Sequence, residues 1–390
     1  MPGKLRRRRG GEGLSRETPE SSVLPLLEAA CLETGVPRPL ALQRELVAAG
    51  YWEATLLEQW GLVSTLLSAH LAEAPDPLEA LFRLSGQVDA RVRFFVPAAA
   101  DGLLQGSPEA SLGFYRRLAA DPDKRVAEAV QAFGLRPLAE RMGPSIVGLL
   151  RAWTDDPSPF VRRAAVEATR PRGVWVRHLR WSVEDPALLL PLLRPLRREQ
   201  DRYPANAVAN CLNDISRTRP QLAREVVRGW LDEEPCGPLV AHMAAKGLRS
   251  LVKQGDPLAL RLLGFGRLEV QVNARLSGGP RVRPNQALQF ELEVSNQGPA
   301  GEAKLVYEIE TPGRVAGRPR RKRYQGRVLR LPAGDRLKVR CRERIFDTRA
   351  APLIDGACRA RFFLNGEVAA ELAFELARGT GAGGELSAGG

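Results

Sequence analysis

Cysteine and histidine are both scarce in this sequence. The five cysteines (Cys31, Cys211, Cys236, Cys341 and Cys358) show no CxxC or CxxxC spacing, and the three histidines, His70, His178 and His242, lie far apart. That excludes a zinc site of ordinary ligand spacing and a Cys/His nucleophile pair. A sparse, odd-numbered set fits reduced thiols in a cytoplasmic protein. Cys341 and Cys358 fall on apolar positions of candidate strands and read as core residues, a disulfide between them being the lesser alternative. No stretch of 18 or more apolar residues occurs, so no membrane span is expected. Acid is in short supply as well: 45 Asp and Glu stand against 58 Lys and Arg, a net charge of +13. Such a surplus points to a polyanionic partner, most often nucleic acid. The alternative is that it serves solubility alone.

What is present is a chain of 390 residues, too long for one ordinary core. Met1 to Gly10 carries four consecutive arginines with no apolar segment after them. A disordered basic arm over residues 1–20 is expected, adding weak attraction to phosphates. Residues 379–390 are Gly-rich and read as a loose tail.

From about residue 21 to 263 the apolar residues recur at helical spacing, and Asp121-Pro122, Asp156-Pro157, Asp185-Pro186 and Asp256-Pro257 read as helix starts. Val92, Val126, Val161 and Val240 mark related helices separated by roughly 35 residues or twice that, the period of paired-helix repeats. Val126, Ala129, Val130 and Phe133 form one such apolar face. A curved stack of HEAT-like helix pairs with a concave face follows.

The period changes at Gly264. Leu288, Phe290, Leu292 and Val294 alternate with polar residues, as do Leu305, Tyr307 and Ile309, and Leu337, Val339 and Cys341. Asn365-Gly366, between Cys358–Leu364 and Val368–Leu376, is the pair that a two-residue hairpin turn requires. About seven short strands over residues 264–378 predict an Ig-like β-sandwich. The expected fold class is multidomain, a HEAT-like α–α solenoid followed by that sandwich.

Three stretches could carry chemistry. In residues 153–175, Val161, Ala164, Ala165 and Ala168 make a buried face, which turns Arg162 and Arg163 to one edge where guanidinium forks suit phosphate oxygens. Arg170-Pro171-Arg172 extends that edge. The alternative is a solvated face with Arg163 and Glu167 an ordinary i,i+4 pair. Glu167 could stay ionised beside a cationic substrate or merely neutralise its neighbours. Trp175 could stack on a base or a deoxyribose, or be core. In residues 203–220, Asn206, Asn210, Asn213 and Asp214 share one face of a helix whose other face holds Val208, Cys211, Leu212 and Ile215. That stripe reads as a polar cleft or as a solvated face. Finally, Gly317 to Tyr324 holds Arg320, Arg321, Lys322 and Arg323 between two strand candidates. It reads as a loop able to enter a groove or lie along phosphates, or as a charged hairpin tip.

At these same residues the chain resembles the AlkC-type DNA alkylation-repair glycosylases, HEAT-like repeat enzymes, in the branch that ends in an Ig-like domain. The resemblance rests on Val161-Arg162-Arg163, Glu167, Arg170-Pro171-Arg172 and Trp175, then on Val208-Ala209-Asn210 and Leu212 through Ser216, and on the segment Phe133 to Pro137. It implies excision of cationic bases such as 3-methyladenine and 3-methylcytosine from double-stranded DNA, with no metal or cofactor, by a monomeric cytoplasmic protein associated with the nucleoid. Glu167, Asp214 and Trp175 are the implied lesion-site residues. Arg162, Arg163, Arg170 and Arg172 are the implied backbone grip. Arg136, Asn210, Asn213 and the Arg320–Arg323 cluster complete the expected DNA contacts. The family's acid before the Phe133 segment is replaced by Ala132, and two phosphate-binding arginines of the later repeat are lost. A catalytically silent DNA-binding paralogue and a HEAT scaffold for an acidic protein are the rival readings.

Overall fold

The computed structural model describes residues 18, 22–104, 106–314, 318–347 and 352–377; the expected arm, Thr18 excepted, and the expected tail lie outside the described residues. Helices run from Leu24 to Leu262 and strands from Val270 to Leu376, the predicted order of helical repeats followed by sheets. None of the described helices is long and apolar enough to cross a membrane. The described residues gather into two compact units. One lies within Met1–Arg219 and Glu233–Met243, the other within Pro220–Asp232 and Ala244–Gly390.

Five helices of the first unit matter for the site. They are α1 (Leu56–Ala72), α2 (Ala90–Leu103), α3 (Lys124–Ala129), α4 (Pro159–Glu167) and α5 (Arg202–Thr218). The expected marker valines all face the interior: Val92, Val126 and Val161 are at most 2% exposed. Ala164 and Ala165 of α4 and Ala205 and Ala209 of α5 are fully buried, which lets these two helices pack closely.

Two of the predicted helix starts are displaced. Asp121 and Asp156 do not cap; their carboxylates accept from the backbone N–H two residues on, Asp123 and Ser158, at 2.8 Å each, closing Asx turns. The helices begin only at Lys124 and Pro159. Asp185 and Asp256 do cap, accepting from Ala187 and Ala259.

A side-chain lock recurs two repeats apart. Arg93, just after Val92, donates to Asp121 at 2.7 and 2.9 Å and to the carbonyls of Gln87 and Val88 ahead of its own helix. Arg162, just after Val161, does the same with Glu199 at 2.7 and 2.9 Å and with the carbonyls of Asp156 and Pro157. Burial alone would raise the Glu199 carboxyl, but the hydrogen bonds from Arg162 and from the Asp201 and Gln200 backbone hold its pKa below the ordinary value. A depressed carboxyl stabilises the fold above its unfolded-state pKa, and that contribution is lost as pH falls through the folded value. The stability gap between the wild type and Glu199→Gln is therefore expected to be about 1–3 kcal/mol at neutral pH and to shrink below about pH 4.5. Thermal unfolding at both pH values measures it, and a gap that ignores pH would refute the lock.

The second unit holds a two-sheet sandwich. Its strands are β1 (Val270–Leu276), β2 (Arg281–Val282), β3 (Ala287–Asn296), β4 (Gly301–Thr311), β5 (Arg320–Leu331), β6 (Arg336–Arg344), β7 (Gly356–Leu364) and β8 (Glu367–Leu376). One sheet runs β1-β3-β6 and the other β2-β8-β7-β4-β5. Residues from both sheets, among them Phe290, Leu292, Tyr307, Phe362 and Phe374, share one core. The β7–β8 hairpin turns at Asn365 (φ 48°) and Gly366 (φ 89°), the left-handed pair that a type I′ turn needs. Cys341 and Cys358 are free, buried thiols on opposite sheets, not a disulfide.

The basic cluster is a strand rather than the expected loop. Arg320 to Arg323 open the edge strand β5, and cross-strand acids of β4 hold them there. Arg321 donates to Glu310 and Arg323 to Glu308, each at 2.7 Å. Edge strand β6 presents Arg336, Lys338, Arg340, Arg342 and Arg344 outward at every second position.

Candidate functional site

The site grows from α4 and the irregular segment that follows it. α4 ends at Glu167, and residues 168–179 run on without a regular helix to the turn of helix beginning at Arg180. This segment has few partners of its own, and a buried arginine supplies them. Arg136, 4% exposed, donates to the carbonyls of Ala168 (3.2 Å), Arg170, Pro171 (3.3 Å) and Arg177 (2.9 Å). Burial, helped by the nearby charge of Arg170, pushes its pKa down to about 10, which leaves it protonated at neutral pH. Gly173 leaves room for the same closure: a Cβ there would stand 2.2 Å from Val176 Cγ2, and the valine would have to shift.

Held in this way, Arg170 meets α5. It donates to Asp214 through Nε at 2.8 Å and to Glu167 through a terminal nitrogen at 3.0 Å. All three side chains are at most 10% exposed, with Asp214 deeper than Glu167. Asp214 also accepts from the Arg172 backbone N–H at 3.2 Å, and the Arg172 Nε is buried with no hydrogen-bond partner among the described residues. Glu167 is further held by Arg163 at 3.1 Å and by Asn210 Nδ2 at 3.5 Å. The Arg163 guanidinium lies 4.3 Å from the Tyr203 ring centroid and donates to the Tyr203 carbonyl at 3.0 Å. The polar stripe of α5 is thus largely interior: Asn213 is fully buried and Asp214 is 3% exposed. Where the two sequence readings are a cleft or a solvated face, the burial of Asn213 and of Asp214, the latter against Arg170 and Arg172 of the segment after α4, removes the second for both.

Trp175 lies on the same stapled segment. Its ring stands edge-on to Trp60 of α1, centroids 5.6 Å apart, and Trp60 in turn meets Phe94 at 4.9 Å and Phe133 at 5.8 Å. Trp60 and Phe94 are buried, whereas Phe133 and Trp175 are half-buried. Phe133 and Ala132 sit in a π-helical turn, Val130–Leu135, between α3 and the helix that starts at Arg136. Such turns widen the helix locally and re-aim side chains. Arg136 connects this aromatic face to the ion-pair network, since it follows Phe133 closely in the chain and binds the backbone on both sides of Trp175.

The structure therefore brings together Arg136, Arg163, Glu167, Arg170, Arg172, Asn210, Asn213 and Asp214. Arg162 turns away to Glu199. Arg320, Arg321, Lys322 and Arg323 lie in the other compact unit. Three members of the site escaped sequence reading. Trp60 carries no spacing signal beyond its helix, and Tyr203 and Glu128 meet only through a contact 75 residues apart in the chain, the Tyr203 hydroxyl donating to Glu128 at 3.4 Å.

No family model matches the chain. An uncharacterized protein of Bacillus subtilis (strain 168), YhaZ, is 31% identical over 163 residues, 42% of this chain; the match spans about 45% of the length of that curated relative. Among solved structures, the Pseudomonas fluorescens alkylpurine DNA glycosylase AlkC, bound to DNA containing an abasic site analog, superposes with a TM-score of 0.79 at 22% identity, covering 91% of this chain and 97% of that one. The protein thus has the fold of AlkC, helical repeats that lead into β-sheets.

Proposed function

We propose that this protein is a DNA alkylation-repair glycosylase that excises cationic N-alkylated bases, such as 3-methyladenine and 3-methylcytosine, from double-stranded DNA without a deep base-flipping pocket. The observation that carries this reading is the Glu167–Arg170–Asp214 network, fixed under an aromatic face by Arg136. The likeness to AlkC, itself solved on DNA containing an abasic site analog, supports DNA as the partner.

The chemistry asks little of such a site. An N-alkylated base already carries positive charge and leaves readily, so the protein has to stabilise an oxocarbenium-like sugar and place a water. In this reading Glu167, on the outer side of the network, orients the water, and Asp214 beneath it keeps Arg170 in place. Trp175 offers its half-buried face to the sugar. Arg163, Arg170 and Arg172 hold the carboxylates in place and add positive potential toward phosphates. Arg320 to Arg323, as the start of an edge strand, contribute backbone contacts from the sandwich.

Incubating the protein with alkylated duplex DNA and measuring the released bases tests the proposal. Glu167→Gln is expected to slow release about 100-fold, the usual effect of losing one positioned group that acts on the transition state. Release by the wild type no faster than by this variant sinks the enzymatic reading. A second reading, a catalytically silent DNA-binding protein, is favoured by Ala132 and by the arginines that already neutralise Glu167 and Asp214. It would keep steeply salt-dependent duplex binding and release no base.

A further inference from the structure

Three carboxylates are joined through this part of the molecule, and they are not equivalent. Glu167 is held by Arg163 and Arg170, and Asp214 by Arg170 and a backbone N–H. Their charge is offset within the protein. Glu128, at the end of the first full turn of α3, is half-buried, and among the described residues no basic group lies within ion-pair distance of it. Its contact is the Tyr203 hydroxyl, which donates to it at 3.4 Å. Burial, above all, raises the Tyr203 pKa, so the hydroxyl stays protonated and serves as a donor. The nearby cations approach the Tyr203 ring, Arg163 at 4.3 Å and Lys124 at 5.5 Å, and neither makes an ion pair with Glu128.

A half-buried carboxylate without a cation is unfavourable to keep, because neither water nor a counter-charge fully compensates it. The compensation can come from a ligand. We propose that Glu128, oriented by Tyr203, is the specificity-determining carboxylate that meets the positive charge of the ligand, supplying the negative potential that Glu167 and Asp214, already matched by arginines, do not. The inference rests on the glycosylase reading and adds a residue to its site. It also places the acid of this site on α3, one turn before Ala132.

Affinity for two abasic duplexes isolates this effect from catalysis. One carries a pyrrolidine analogue, cationic at neutral pH, and the other a neutral tetrahydrofuran analogue of the same shape. The wild type is expected to prefer the cationic duplex, and Glu128→Gln to lower that preference roughly tenfold, as expected for one partly screened charge pair, with affinity for the neutral duplex unchanged. Tyr203→Phe should lower it less. Circular dichroism confirms that each variant is folded, and Glu128→Asp, which keeps the charge on a shorter stem, should retain part of the preference if Glu128→Gln does not fold. An unchanged preference in Glu128→Gln, or its complete loss in Glu128→Asp with the fold intact, overturns the role of Glu128 while leaving base release by the wild type as evidence for the glycosylase. A wild type that neither releases bases nor prefers the cation overturns the underlying reading instead.

Discussion

Arg136→Met is expected to lower the stability of the helical unit by about 3–5 kcal/mol, the scale seen when a buried charged group is removed from a fully bonded setting. The guanidinium donates to four carbonyls of one irregular segment, and an irregular segment has no ladder in which to place those acceptors otherwise. Methionine matches the stem of arginine and fills much of its volume, so the loss measured belongs to the hydrogen bonds rather than to a cavity. Lysine keeps the charge but presents a single ammonium in place of a planar fork, and recovers less than half. Denaturant unfolding followed by circular dichroism gives both numbers, with an unchanged m-value showing that stability alone moved. A cost below about 1 kcal/mol for Arg136→Met would mean that the segment from Ala168 to Arg177 holds its shape unaided. Base release should fall together with stability, since Arg170, Arg172 and Trp175 all depend on that segment.

The second large effect is expected at Arg170. Burial works against its charge, yet Glu167 and Asp214 outweigh the penalty and raise its pKa. Arg170→Met leaves Asp214, 4% exposed, with no cation and Glu167, 10% exposed, with Arg163 alone, again at a cost of about 3–5 kcal/mol. The triple variant Arg170→Met, Glu167→Gln, Asp214→Asn removes the charges along with their partner. Because desolvation of a buried ion set offsets much of its attraction, the triple variant should be more stable than the single one. A triple variant no more stable than Arg170→Met would show that packing around the arginine stem, not charge, is what the single substitution lost.

Much of this architecture was open to sequence reading, for local reasons. The valines that head each repeat are buried because a 3.6-residue period has one interior face, and Asn365-Gly366 turns because few other pairs tolerate two positive φ angles. What escaped reading depends on distant partners. Asp121 and Asp156 carry the signature of helix caps, yet each side chain closes a tighter turn two residues on and the helix waits. Arg320 to Arg323 hide their period of two because both faces of that edge strand carry cations; only Glu308 and Glu310 across the sheet show that it is a strand. The motif around Arg162, Glu167, Arg170 and Asp214 was legible as a cluster. Its internal pairing was not, since Arg162 with Glu199, Arg170 with Asp214 and Tyr203 with Glu128 join repeats 37, 44 and 75 residues apart.

The alternating cations of β6 have a consequence for the company this sandwich keeps. β6 is an outer strand of its sheet, with β3 on one side and, among the described residues, no strand paired on the other. A bare edge of that kind is a template on which another chain can add a strand, and repeated addition ends in aggregates. Here an approaching copy of β6 would bring its own Arg336, Lys338, Arg340, Arg342 and Arg344 against the same five. Like charges facing one another across a new ladder disfavour the pairing. One outer strand of the other sheet, β5, opens on Arg320, Arg321 and Lys322, all exposed, and repels its own copy in the same way. Charge along both strands therefore works against strand addition between copies of this sandwich in a crowded solution.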